Sequence, residues 1–150
     1  DNFKPFADKY GYAWGSEVIK EVANILSNKL QTDDHGGDFV GHVGGDDFII
    51  VSDPGATEQK CQNIIDEFDR RIMRFYSEKD RQKGFIIGKD RQGNQQMFPL
   101  ITMTIAIVTD NGTYFQGPLD MAKKAAELKE YAKTLPGSNY VKQEDVGKIL

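Results

Sequence analysis

The stretch from residue 41 to residue 51 constrains the fold most, because it reads as two apolar strands joined by a tight turn. Gly44 and Gly45 accept a positive φ at both turn positions without steric cost, as a two-residue hairpin loop requires. Asp46 and Asp47 follow directly and are predicted to lie at the hairpin tip. Paired carboxylates on a rigid turn suit a divalent cation, although a solvated hairpin with ordinary acidic turn residues gives the same pattern. The pattern alone leaves both interpretations open.

Composition and charge limit the classes of function. With 150 residues, of which 39% are hydrophobic, the chain is long enough for one domain with a buried core. The formal charge of -4 and the pI near 5.2 argue against nucleic-acid binding, which needs clustered Lys and Arg. The sequence has no apolar run long enough for a membrane span and no visible signal peptide. We therefore expect a cytoplasmic domain without direct membrane contact, which a membrane-tethered parent protein would still allow.

Hydrophobic spacing predicts three amphipathic helices, and the first is expected to begin at a cap formed by the Ser16 hydroxyl. The single cysteine, Cys61, falls at an apolar helical position and is expected in the core. Short runs rich in β-branched and aromatic residues predict the strands. The predicted helices span residues 16–30, about 57–76 and 118–136, and the predicted strands span 39–43, 48–52, 84–88, 97–108 and 139–141. Because two strands form a hairpin, we expect a mixed α/β (α+β) fold whose sheet is at least partly antiparallel and is covered by helices.

Four short motifs lie along the chain in a recognisable order. They are Asp-Asn-Phe-Lys with Asp-Lys-Tyr-Gly in residues 1–16, Gly-Gly-Asp-Asp-Phe at 44–48, Thr-Met-Thr-Ile-Ala at 102–106, and Tyr-Ala-Lys with Gly-Ser-Asn at 131–139. Together they resemble the GGDEF family of bacterial diguanylate cyclase domains. The resemblance implies one GGDEF-like domain over residues 1–150 with a nucleotidyl-cyclase or palm-like fold, a central, largely antiparallel sheet flanked by helices. It also implies that the family's first strand, with a second metal-binding Asp, falls before residue 1.

The resemblance implies a metal-dependent nucleotide site. Asp46 would be a ligand for Mg²⁺ or Mn²⁺, and Asp47, where the family usually has Glu, would be the catalytic carboxylate near the reacting hydroxyl. Lys133 would reach a triphosphate. The implied nucleotide-binding residues are Asn2, Phe3, Lys4, Ser16, Gly44, Gly45 and Lys133.

Departures from the family pattern weaken recognition of the base and the phosphates. The family's guanine-reading Asn and acid fall on Ala7 and Ser16, and the Arg of its last motif falls on Ser138. Loss of such polar contacts lowers both affinity and discrimination. At the family's product-inhibition site, an Arg-x-x-Asp upstream of the signature, Asp38 fits but His35 replaces the Arg. Because imidazole lacks the bidentate fork of guanidinium, we expect a remnant of that site without product feedback.

Three functions stay open. A degenerate domain would bind GTP or a related nucleotide with Mg²⁺ and regulate an attached or partner domain, such as a phosphodiesterase or a sensor in the parent chain. An active cyclase would make cyclic di-GMP from two GTP molecules, which requires two domains to meet as a homodimer. A scaffold would keep the fold for dimerisation and bind no nucleotide. The eroded base and phosphate contacts favour the degenerate domain.

Overall fold

The computed structural model describes residues 1–30, 37–90, 92–112 and 114–146, and over these residues helices and strands alternate along the chain. The helices are α1 (Phe3–Tyr10), α2 (Tyr12–Lys29), α3 (Thr57–Ile72), α4 (Glu78–Lys83), α5 (Pro118–Ala132) and α6 (Gln143–Val146). The strands are β1 (Phe39–Gly44), β2 (Asp47–Val51), β3 (Phe85–Lys89), β4 (Gln95–Pro99), β5 (Thr104–Ile107) and β6 (Asn139–Lys142). None of the helices in these ranges is long and apolar enough to cross a membrane.

The strands pair two by two in the described part of the chain. β1 pairs with β2 and β3 pairs with β4, both antiparallel, whereas β5 and β6 are parallel. This pattern confirms the expected mixed fold with mostly antiparallel pairing. The described strands form three separate two-stranded ladders, however, where the sequence predicted one central sheet.

The main core lies where α1, α2 and α3 pack against the two antiparallel hairpins. Val40, Phe48 and Ile50 point from the β1–β2 hairpin into this core, as period-two alternation requires. Cys61 on α3 is also buried, and burial raises the pKa of its thiol to about 11, which confirms the expected core position. The fully buried large side chains of this core are Phe6, Val18, Ile25, Ile64 and Ile86.

A second, smaller core fixes α5 on the β5–β6 pair. Leu128 and Ala132 are fully buried one helical turn apart, and they pack with Val141 of β6. Pro118 occupies the first turn of α5, where its missing N–H costs no helical hydrogen bond. The predicted third helix and last strand are confirmed as α5 and β6, although α5 ends at Ala132.

The predicted start of the first long helix is wrong. Ser16 lies inside α2, and its hydroxyl donates to the carbonyl of Tyr12, 3.0 Å away, so it caps nothing. Gly11, with φ of 95°, separates α2 from the short α1, which has no counterpart among the predicted elements. Pro5 sits in the first turn of α1, where the backbone N–H has no helical partner in any case.

The predicted strand over residues 97–108 is also wrong, because the structure divides it. β4 ends at Pro99, which lies opposite Phe85 and cannot donate a further ladder hydrogen bond. The chain then turns into the core through Leu100 and Ile101, and the Ile101 N–H donates to the Tyr76 hydroxyl at 2.8 Å. A new strand, β5, begins at Thr104 and pairs with β6 instead.

Candidate functional site

The β1–β2 hairpin ends in a tight turn formed by Gly45 and Asp46. Gly44 and Gly45 have φ of 148° and 56°, which confirms the predicted positive φ at both glycines. Gly44 nevertheless belongs to β1 and lies opposite Asp47, so the turn is one residue later than predicted. A Cβ at either glycine would meet nothing within 4 Å, so the backbone here is open to a ligand.

His42 supports this turn from within β1. Its ring stacks on Phe48 of β2 with centroids 4.6 Å apart. Its Nε2 lies 2.9 Å from the carbonyl oxygen of Gly45, and since a carbonyl only accepts, Nε2 carries the proton. The imidazole therefore holds the turn that presents the two acids.

The two acids of the signature have different surroundings. Asp46 is exposed at the turn. Asp47 begins β2, and one of its carboxylate oxygens pairs with the ammonium group of Lys129 on α5, 82 residues away in sequence. The side chains of Lys129 and Asp47 are 38% and 55% exposed. The ion pair thus connects the hairpin to α5 at a solvent-accessible position.

Lys129 and Lys133 lie four residues apart and therefore share one face of α5. Lys133 is at the helix end, and its ammonium lies 3.5 Å from a carboxylate oxygen of Glu130. Because buried Leu128 and Ala132 immediately precede the two lysines, the packing of α5 also sets their direction. Lys129 was not among the site residues predicted from the sequence, although its four-residue spacing from Lys133 placed both lysines on one helix face.

Asp1 contacts the segment that leads into β5. Its backbone nitrogen donates to the carbonyl of Thr102 at 2.7 Å, and its carboxylate accepts from the Thr104 hydroxyl. These two hydrogen bonds hold residue 1 against the start of β5.

The donor set can be compared with what Mg²⁺ requires. The described ranges contain no group of three or more His, Cys, Asp or Glu side chains that could hold a metal ion. Mg²⁺ in nucleotide sites is commonly held by one or two carboxylates plus substrate phosphates, with water completing the shell. Asp46 and Asp47 meet that smaller requirement. The residues present therefore fit Mg²⁺ delivered with a nucleotide better than a metal held by protein ligands alone.

The other predicted nucleotide-binding residues lie on α1 and α2. Asn2 precedes α1 in a left-handed conformation, with φ of 58°. Phe3 packs partly buried against the main core, and Lys4 pairs with Asp8 at 2.7 Å. Ser16 is exposed on α2. No hydrogen bond or ion pair among the described residues joins Ser16 to the hairpin tip, and nucleotide contacts at these positions stay predictions.

Ala7 fills the close contact between α1 and α2. It is only 3% exposed, and a Cβ built on Gly15 would lie 3.3 Å from the Ala7 Cβ and 3.2 Å from the Phe3 ring. The methyl group is thus part of the helix packing. At the position where the family reads guanine with an amide, this chain presents no polar group.

Ser138 has structural partners in place of the family's phosphate-binding Arg. Its hydroxyl oxygen accepts from the Met103 N–H at 2.9 Å, and the hydroxyl donates to Asp69 of α3. These bonds hold the loop before β6 against the start of β5. Lys129, through its ion pair with Asp47, is a cation that the structure brings to the hairpin tip.

Asp38, predicted as a remnant of the product-inhibition site, lies at the opposite end of the hairpin from the acids. It is buried, and the Lys60 ammonium contacts its two carboxylate oxygens at 2.7 and 2.9 Å. The Ser52 hydroxyl also donates to it. This arrangement ties the base of the hairpin to α3. His35 lies outside the described residues, so the structure carries no test of the proposed inhibition site.

Comparison with known proteins identifies the family of this chain. Residues 1–88, more than half of the chain, match the model of the diguanylate cyclase GGDEF domain. Diguanylate cyclase DgcS from Shewanella oneidensis is 33% identical over 67 residues. That match covers 43% of this chain and 21% of the relative, so it spans about a fifth of that protein's length. With the hairpin signature at the centre of its site, the chain belongs to the GGDEF family of diguanylate cyclase domains.

Proposed function

We propose that this GGDEF domain binds a guanine nucleotide together with Mg²⁺ in cyclic di-GMP signalling, and that binding regulates an attached or partner domain. The observation that carries the proposal is the ion pair between Asp47 and Lys129, which places an α5 ammonium group beside the two hairpin acids. Carboxylates for a cation and ammonium groups for phosphates are the two kinds of group that a metal-nucleotide complex requires.

Each element has a defined task in this proposal. The open glycine turn lets a phosphate approach the backbone, and His42 keeps the turn in place. Asp46 and Asp47 would hold Mg²⁺, which would neutralise phosphate charge and polarise the phosphoryl oxygens. Lys133 and Lys129 would contact the phosphates from α5.

Base recognition is the weak part of the site. Ala7 is buried between helices, and the hydroxyl of Ser16 is already donated to the Tyr12 carbonyl. A site without polar contacts to the base edge discriminates poorly between nucleobases. We therefore expect the triphosphate and the metal to contribute most of the affinity, with little selectivity for guanine.

An active diguanylate cyclase is the second candidate, favoured by the survival of both signature acids and by the name of the relative. Asp47 is one methylene shorter than the usual Glu. A displacement on the order of 1 Å at a reacting group can lower the rate ~100-fold. The carboxylate of Asp47 is also paired with Lys129. This pairing argues against cyclase activity, which needs that carboxylate free near the reacting hydroxyl.

Thermal unfolding with and without Mg-GTP tests the proposal. A ligand at ~100 times its dissociation constant adds about 2.7 kcal/mol to the free energy of unfolding. Asp46→Ala is expected to abolish the Mg²⁺-dependent part of this stabilisation. Asp66→Ala is the matched control, since Asp66 is an exposed acid on α3 that only accepts from Gln62 among the described residues.

The outcomes separate the three functions. If Mg-GTP stabilises the domain through Asp46 and chromatography detects no cyclic di-GMP, the result supports a regulatory nucleotide-binding domain. Product formation by the wild-type chain would make it a cyclase. An unfolding temperature that Mg-GTP leaves unchanged would contradict binding and favour a scaffold.

A further inference from the structure

We propose that Lys129 is an exchangeable cation at the hairpin tip, which pairs with Asp47 in the nucleotide-free domain and moves to a phosphate when Mg-nucleotide binds. This inference rests on the proposed function. It adds Lys129 as a positioning residue and states that its ammonium group leaves Asp47 and joins a phosphate.

The first observation is where the pair lies. Lys129 belongs to α5, which packs on the β5–β6 pair, whereas Asp47 begins β2 in the hairpin. Their side chains form an ion pair, and Asp46, the residue before Asp47, is exposed at the same turn. The ammonium thus sits at one of the two carboxylates that would take the metal.

The second observation is that the pair is exposed enough to exchange. The side chains of Lys129 and Asp47 are 38% and 55% exposed, whereas those of the structural pair Lys60 and Asp38 are 26% and 4% exposed. Pairs at solvent-accessible positions contribute little stability and are screened by salt. A divalent cation can therefore displace the ammonium group from Asp47.

The exchange predicts opposite effects on two ligands. Without the Lys129 charge, a divalent cation alone no longer competes with an ammonium for Asp47, so its affinity should rise. The strength of exposed ion pairs limits this rise to about fivefold. A nucleotide complex would lose a phosphate contact in the same variant, so its affinity should fall or stay unchanged. A lysine with only a structural role would not produce this difference.

The test measures the binding of two ligands. Binding of Mn²⁺ alone is monitored by electron paramagnetic resonance of the free ion, and binding of Mg-GTP is measured by calorimetry. Lys129→Met is compared with Lys129→Arg, which keeps the charge, and with Lys124→Met. Lys124 lies on the same helix and pairs with Glu127 at 3.3 Å, so it is a matched control. We expect Lys129→Met to bind Mn²⁺ about two- to fivefold more tightly than wild type and Lys129→Arg to show a smaller rise because it keeps the charge, whereas Lys124→Met should match the wild type.

The outcomes distinguish this inference from the proposed function. If wild type binds Mg-GTP but Lys129→Met binds Mn²⁺ no more tightly than wild type, the exchange is wrong and the nucleotide site stands. The exchange is also wrong, and the nucleotide site again stands, if Lys129→Met binds both ligands more tightly, since the lysine would then contact no phosphate. If the wild type binds neither Mn²⁺ nor Mg-GTP, both proposals are wrong.

Discussion

The ammonium group of Lys60 on α3 contacts both carboxylate oxygens of Asp38, at 2.7 and 2.9 Å, just before the hairpin begins. Lys60 also donates to the Ser52 hydroxyl at 2.8 Å, just after the hairpin ends. A single lysine therefore joins both ends of the hairpin to a helix of the main core. Because Asp38 is buried, loss of this partner leaves a carboxylate in a poorly solvated position.

Lys60→Met is expected to lower the free energy of unfolding by about 1–3 kcal/mol, since the buried Asp38 charge loses its cation. Urea denaturation measures the change. Lys124→Met removes a partly exposed lysine whose partner Glu127 lies one helical turn away, and should change stability by less than about 0.5 kcal/mol. Equal effects of the two variants would show that the Asp38 pair is not a structural tie.

Asp80→Asn should remove part of the acid sensitivity of the fold. Burial raises the pKa of Asp80, but hydrogen bonds from Lys9, Tyr10 and Ser77 together hold it below the ordinary value of 3.8. Since the folded pKa is depressed, Asp80 stabilises the fold fully above about pH 5, and this contribution is lost as pH falls below about 4.

We expect Asp80→Asn to cost about 1.5–3 kcal/mol at neutral pH, because hydrogen bonds to a charged acceptor are weakened. The difference from wild type should shrink as pH falls from 6 to 3. Denaturation at a series of pH values measures it. A difference that stays constant over this range would show that the Asp80 charge does not stabilise the fold.

Leu128→Ala tests whether the second core holds α5 in place. Leu128 is fully buried, so truncation should cost about 2–5 kcal/mol. Leu119 on the same helix is 68% exposed, and Leu119→Ala should change stability by no more than about 0.5 kcal/mol. Similar losses in the two variants would contradict the packing of α5 on β5 and β6.

Ser16→Asp should raise the preference for Mg-GTP over Mg-ATP, because it restores the acid that the family places at this position. The position is exposed on α2, so the substitution should leave the free energy of unfolding within about 0.5 kcal/mol of wild type. The ratio of the two dissociation constants measures the preference, with Ser16→Ala as the control. An unchanged ratio would place Ser16 outside the base-reading part of the site.

Local sequence chemistry predicted several elements to within a few residues. The Gly-Gly turn, the apolar face of α3, Pro118 at the start of α5 and the short last strand all act through neighbours close in sequence. The entry of Leu100 and Ile101 into the core, which divides residues 97–108 into two strands, was not predicted, because it is a tertiary feature. Ser16 was predicted as a cap because the extension of α2 back to Tyr12 has no strong local signal.

The candidate site was predicted only in part, because some of its residues meet through tertiary packing. Its acids and Lys133 follow from short motifs in the sequence. Lys129 depends on the packing of α5, since its partner Asp47 is 82 residues away. The pairing of buried Asp38 with Lys60 is equally a tertiary feature, which the hairpin motif cannot reveal.

The separate pairing of the strands determines how ligand binding at the hairpin would affect the rest of the domain. Among the described residues no backbone ladder joins the β1–β2 hairpin to the β5–β6 pair, on which α5 packs. A nucleotide held by the hairpin acids and the α5 lysines would add a link between these two ladders. Amide protons on β6, remote from the signature in sequence, would then exchange more slowly whenever the hairpin tip is occupied.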